Sequence, residues 1–272
     1  RLTGGLVAPR ELPDDVRDAI EKGVERGAWQ LERRGSSDDT ASLRPPRRLW
    51  NGLPNPLQSF GECADLDCVL CRARSGSETI RNELLDLAAE TIIKDCHDSS
   101  DKPLVYCSIG AGLLHFDWLL LGKLWREERL SFDEVWLLDP MYDSMFAVSE
   151  EANRLALDAK ATFAGWFGQQ GADVRAFSQA KELVRYVSRS NAAKAAVLMQ
   201  MDAMEADSVL EDVELQLPKN ILADGALHLQ ASVAEGADGS PVPTWRVHRW
   251  QSGPGNFDSV KSLYRLGCQT WG

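Results

Sequence analysis

The most sharply patterned stretch of the chain is 104–143, LVYCSIGAGLLHFDWLLLGKLWREERLSFDEVWLLDPMYD. An apolar run, Leu104–Ser108, leads into a glycine turn at Gly110 and Gly112. A segment of helical spacing follows, and then a second apolar run, Glu134–Leu138, that ends on Asp139. The pattern predicts a buried strand, a turn, a helix and a second strand. Glycine lets the backbone approach a bound group, a helix N-terminus offers unpaired N–H donors, and an acid at the next strand end can accept hydrogen bonds from a ribose. A cleft for a nucleotide-like ligand is therefore expected.

The same reading extends along the chain. Val16, Ile20, Val24 and Trp29 predict an amphipathic helix over 14–33, after which 35–59 turns to Ser, Asp, Pro and Arg and reads as an irregular, polyproline-like arm. Within that arm Trp50, Leu53, Leu57 and Phe60 are apolar enough to dock on a neighbouring surface. Ile80, Leu84, Leu87, Ala88 and Thr91 or Ile92 predict a helix over 77–95, capped by Ser77. Further helices are expected at 150–166, 179–188 and around 207–215, and strands at 173–177 (DVRAF), 194–201 (KAAVLMQM) and, with a turn, 220–229 (NILADGALHL). Trp245–Trp250 and Ser259–Leu266, separated by the Gly253–Gly255 turn, predict an antiparallel hairpin at a sheet edge. Strands alternating with helices imply an α/β fold with a doubly wound, mostly parallel sheet. The expected division is an N-terminal helix and arm over 1–75 and one α/β domain over 76–272.

Composition narrows the function. The chain has 272 residues, 44% of them hydrophobic and 26% charged, enough to bury a sizeable core. A net charge of −11 argues against tracking nucleic-acid phosphates or an anionic membrane surface. No apolar run reaches the length of a membrane span. Six scattered cysteines do not make a disulfide scaffold and point to a reducing compartment. Arg1 follows neither an initiator Met nor a signal peptide, so an upstream segment is expected to have been removed. A cytoplasmic location is expected unless that segment addressed an organelle.

With VYCSIGAG, EVWLLDP, DVRAF, LMQMDA, NILADGALHL and the final hairpin in this order, residues 76–272 resemble the class I S-adenosylmethionine-dependent methyltransferase fold. The resemblance implies a seven-stranded sheet with an antiparallel C-terminal hairpin and S-adenosylmethionine as cofactor. It places the methionine part of that cofactor on Ser108, Gly110, Ala111 and Gly112, the ribose on Asp139, and the adenine near Pro140, Met141, Phe177 and Ser178. It also directs the end of the fourth strand, Asp202 and Ala203, at the methyl group and acceptor. Two departures stand out: the family commonly has an acid where this chain has Ser108, and Leu113 or Leu114 replaces the third small residue of the turn. A neutral hydroxyl holds an ammonium more weakly than a carboxylate does.

Other readings of the same residues stay open. Asp139 precedes Pro140, a pair that also suits a helix N-cap. Gly110 to Asp139 spans 29 positions (139 − 110) in the sequence. The dinucleotide fingerprint has about 20, which disfavours a nicotinamide cofactor. His115 can serve as a base near the cofactor or as an ordinary helix-face histidine. Cys63, Cys68 and Cys71, with Cys96 and His97, offer four zinc ligands at irregular spacing, and half-buried thiols without metal are the expected state. The tryptophans are expected in core or edge packing.

The expected function is methyl transfer to a small-molecule or protein acceptor, with Asp202 or His115 taking a proton. The alternative is an inactive methyltransferase-like scaffold whose arm wraps a protein partner.

Overall fold

The computed structural model describes residues 32–33, 42–44, 78–96, 103–127, 130–190, 192–201, 216–235, 241–251, 257–258 and 264–265. In chain order these form β1 (Glu32–Arg33), β2 (Ser42–Arg44), α1 (Glu78–Cys96), β3 (Val105–Ile109), α2 (His115–Glu127), β4 (Glu134–Leu138), a 3₁₀ turn (Pro140–Tyr142) and α3 (Glu150–Gln169). There follow β5 (Asp173–Phe177), α4 (Ala180–Ser190), β6 (Ala195–Met201), α5 (Leu217–Ile221), β7 (Leu222–Glu235), β8 (Pro241–Trp250), β9 (Phe257–Asp258) and β10 (Tyr264–Arg265).

All the strands join one sheet in the order β1-β2-β5-β4-β3-β6-β7-β8-β10, with β9 also paired to β8. The central pairings β5/β4, β4/β3, β3/β6 and β6/β7 are parallel, while β8 runs antiparallel to β7, β9 and β10. This is the mostly parallel α/β sheet with an antiparallel C-terminal end that the sequence predicts. β3 is buried along its whole length, and β4 from its second residue on, as their unbroken apolar runs require.

Alternate residues of the strands feed two cores. On one face Tyr106, Val135, Leu137, Val197 and Met199 pack with Leu84, Ala88 and Ile92 of α1, Trp118, Leu120 and Leu124 of α2, and Phe163 of α3. On the other, Val105, Cys107, Trp136, Leu138 and Phe177 pack with Leu183 and Val187 of α4 and with Leu217 and Ile221 of α5. Trp118, Trp136, Trp166, Trp245 and Trp250 do fill cores: Trp118 lies 5.0 Å from Trp166 between ring centroids and 5.7 Å from Phe167. Trp136 is fully buried against Tyr186, and its indole N–H donates to Glu134 at 2.8 Å, so its polar end is satisfied.

Three details differ from the sequence expectation. The long antiparallel hairpin is β7 with β8, whose register runs from Leu227↔Arg249 to Glu235↔Pro241. Among the described residues the expected antiparallel pairing across Gly253–Gly255 is present as Trp250↔Phe257 and Trp245↔Tyr264. The turn expected somewhere in 220–229 is a bulge: Ala195 faces Leu222 while Val197 faces Leu227, and Gly225 takes φ +79° there. Finally, Ser42–Arg44 falls within the arm expected to be irregular, yet pairs antiparallel with β5. The free edge of β5 offers unpaired N–H and C=O groups that a passing chain can satisfy whatever its composition. Of the helix expected over 14–33, only Glu32–Arg33 is described, and it is strand. The helix expected at 207–215 and the cysteines 63, 68 and 71 lie outside the described residues.

Candidate functional site

One row of residues crosses the sheet in register: Phe177, Leu138, Ile109, Gln200 and Gln230. The chain leaves β4 and β3 just beyond that row, at Asp139 and Gly110. The helix following β3, α2, lies on the first face, and the helix ahead of β7, α5, lies on the second. Neighbouring strands whose connections leave on opposite faces open a crevice at their carboxyl ends, where α/β sheets bind ligands.

The loop between β3 and α2 is tightly wound. Gly110 has φ +69° and Gly112 φ +53°, a region that side-chain-bearing residues disfavour, and Leu114 adopts φ +64° despite its side chain. The backbone of Gly110 donates to Leu138 O at 2.9 Å, and Leu114 N to Ala111 O at 2.9 Å. Leu113 and Leu114, the two residues in place of a third small one, are buried in the core of the first face at 2% and 0% exposure. Their burial accounts for a turn that tolerates large side chains: they point into the protein.

Asp139 locks this loop to the end of β4. Its Oδ2 accepts from Gly112 N at 2.7 Å and its Oδ1 from Met141 N at 2.9 Å, while its own N–H donates to Phe177 O at 3.1 Å. The carboxylate therefore does cap the 3₁₀ turn Pro140–Tyr142, and it also faces the glycine loop.

Beneath the loop is a buried polar group that the sequence did not announce. Tyr106 Oη donates to Asp117 Oδ1 at 2.6 Å, with both residues buried. Burial first, and then the Asp117 charge, hold the Tyr106 hydroxyl well above its ordinary pKa, so it stays a donor. Ser108 is fully buried, and its Oγ makes no hydrogen bond of full geometry. The buried Tyr142 Oη is likewise unpartnered, and burial and the charges of Asp139 and Asp117 raise its pKa. The ammonium of Lys160 stands 5.3 Å over the Tyr142 ring, its pKa lowered by burial. A Tyr two positions before a strand-end Ser and an Asp in the first turn of the next helix were the available signals.

The remaining predicted residues are spread more widely. Pro140 is exposed and Met141 half-buried, both on the 3₁₀ turn beside Asp139. Ala111 is buried within the loop. Phe177 is 2% exposed and stacks on Tyr186 at 5.6 Å in the second-face core, and its side chain is committed to that packing. Ser178 gives its N–H and Oγ to Glu182 Oε2 at 3.1 and 3.0 Å, and Gln179 N joins them at 3.1 Å, together capping α4. His115 opens α2 with 1% exposure, enclosed by protein. Asp202 and Ala203 lie outside the described residues. Among the described residues no group of three or more His, Cys, Asp or Glu side chains is placed to hold a metal ion.

A second polar set lies on the other face of β6, β7 and β8. Gln200 is 2% exposed, with Oε1 hydrogen-bonded to His228 Nε2 at 2.9 Å, and the His228 ring lies 5.6 Å from His248. The signal was a single Gln inside the apolar run KAAVLMQM. No helix among the described residues is long and apolar enough to cross a membrane.

No protein-family model matches the chain, and no curated protein matches it. Among solved structures it is similar to the apo form of CalS11, a TDP-rhamnose 3'-O-methyltransferase of calicheamicin biosynthesis, at 14% identity and TM-score 0.38, over 60% of this chain and 77% of that one. It is also similar to MNMC2 from Aquifex aeolicus, at 11% identity and TM-score 0.34, over 86% of this chain and 77% of that one. A COG1565-superfamily protein from Burkholderia thailandensis follows at 18% identity and TM-score 0.28, over 71% of this chain and 39% of that one. Likeness this loose assigns no activity.

Proposed function

We propose that the chain transfers a methyl group from S-adenosylmethionine to a small-molecule or protein acceptor. The observation that carries the reading is the carboxylate of Asp139 directed at the Gly112 amide across the ends of β4 and β3. An acid fixed in this way is preorganised at the strand end where the ribose hydroxyls would sit. Gly110, Ala111 and Gly112 let the backbone come close to the methionine portion, Ser108 Oγ offers a buried hydroxyl below it, and Pro140 and Met141 border the adenine. The group fits this donor set at its ribose. For its ammonium the residues named here would offer a neutral hydroxyl, the buried Ser108 Oγ, and no carboxylate. When bound, S-adenosylmethionine supplies a methyl group activated by the sulfonium charge. The protein's part is to hold acceptor and methyl in line at near-contact distance and to take a proton from the acceptor, the role we assign to Asp202 or His115.

The second reading, an inactive scaffold that assembles with a protein partner through its N-terminal arm, is favoured by the same loop. Both Asp139 oxygens already hold backbone amides, and Leu113 and Leu114 serve the core. A calorimetric titration with S-adenosylmethionine and S-adenosylhomocysteine separates the two. Binding at about micromolar concentration, abolished in Asp139→Ala, sustains the enzyme; no heat at about millimolar ligand leaves the scaffold.

A further inference from the structure

The loop joining Asp139 to α3 carries the most exposed apolar side chains of the described surface. Met145 is 84%, Phe146 47% and Val148 74% exposed. Single exposed apolar residues are ordinary, but three within four positions form a patch.

This knuckle is also held rigid. Asp143 Oδ1 accepts from Met145 N at 2.9 Å, and its carbonyl accepts from Phe146 N at 3.1 Å and from Ala147 N at 3.0 Å. On either side, Asn153 Nδ2 donates to Met141 O at 2.7 Å, and Ser149 Oγ caps α3 through Ala152 N at 3.1 Å. The chain thus displays these side chains in a fixed arrangement, and a partner that covers them pays little ordering entropy.

Charge specifies the partner. Asp143, Glu150 and Glu151 stand in or beside the knuckle, and the sequence from Asp139 to Asn153 has neither Lys nor Arg. Of the cations that follow on α3, Arg154 is engaged by Glu151 and Asp158, and the half-buried Lys160 is drawn in over the Tyr142 ring at 5.3 Å, so the acids are in excess. An apolar knuckle with an acidic surround repels anionic lipid, and a second copy would bring like charges together. We propose that Met145, Phe146 and Val148 form the docking surface for a basic polypeptide segment, in which apolar anchors alternate with Lys or Arg, on the protein that accepts the methyl group. Calling that protein the acceptor rests on the methyl-transfer reading; the docking surface does not. The knuckle begins six positions after Asp139 (145 − 139), so a segment seated on it is tethered at the rim of the proposed cofactor site.

The test uses the full chain and a labelled synthetic peptide alternating Leu or Phe with Lys or Arg, beside a control with Glu in place of each cation. The expected result is micromolar binding of the basic peptide alone, weakened at least about tenfold in the M145S/F146S/V148S variant. In E150Q the affinity and its salt dependence fall together. Equal binding by wild type and the triple variant overturns the proposal. So does a wild-type dimer that the triple variant dissolves, or sedimentation of wild type, and not the variant, with anionic phospholipid vesicles. A parallel titration with S-adenosylmethionine, which the triple substitution leaves unchanged, tells failure of this surface from failure of the cofactor reading.

Discussion

The Oδ2 of Asp139 accepts the backbone N–H of Gly112 at 2.7 Å, joining the end of one central strand to the loop that leaves its neighbour. The other oxygen holds Met141 N. One side chain thus adds a second tie between two segments that the Gly110 N to Leu138 O bond already joins.

Asp139→Ala strands two amides that the carboxylate now satisfies. Each unsatisfied donor costs about 1–3 kcal/mol, so the variant is expected to melt several degrees lower. Asp139→Asn, which keeps one acceptor oxygen, should lose about half as much. Differential scanning calorimetry of the three proteins without ligand measures this apart from any cofactor effect.

Tyr106→Phe removes the donor to buried Asp117 and is expected to destabilise the fold by about 1–3 kcal/mol. It also changes the alkaline limb. The Tyr106 hydroxyl is held well above its ordinary value of 10.0, so above that pH the unfolded chain gives up a proton that the native one keeps. Stability therefore falls as pH rises past that value, and less steeply in Tyr106→Phe. Urea midpoints at neutral pH and at the highest pH the protein tolerates give the comparison.

Cys96 and Cys107 should be inert in the native state. Burial pushes the Cys96 thiol up to about 11, with Asp95 adding to the rise, and the Cys107 thiol higher still. The thiolate is the reactive species, so at mildly alkaline pH neither is expected to take up iodoacetamide until the protein is unfolded. Peptide mass mapping reads each cysteine separately.

His248 should make the protein less stable in mild acid. Its pKa is lowered from 6.5, first by burial and then by Arg246, so below that value the unfolded chain binds a proton that the native chain resists. Stability then rises with pH up to about the unfolded value of 6.5. His248→Gln is expected to flatten the dependence of the urea midpoint over that window.

The sequence by itself determined the sheet. The unbroken apolar runs at β3, β4 and β6 and the helical spacing of Leu84, Ala88 and Ile92 left a parallel, doubly covered arrangement, because only burial on both faces accommodates such strands. The strand-turn-helix-strand order also put the glycine loop and Asp139 at neighbouring strand ends. Tertiary structure alone decided what those residues do there. That Asp139 also holds Gly112, beyond the local cap on Met141 that the Asp-Pro pair suggested, depends on the in-register pairing of β3 with β4, a contact between residues 27 positions apart. That Leu113 and Leu114 turn inward, that Tyr106 meets Asp117, and that Phe177 goes to the far core with Tyr186 depend on which helix packs over which face. Local pattern encodes periodicity and turn chemistry. Hydrogen bonds and packing between distant segments are settled only when the whole sheet assembles.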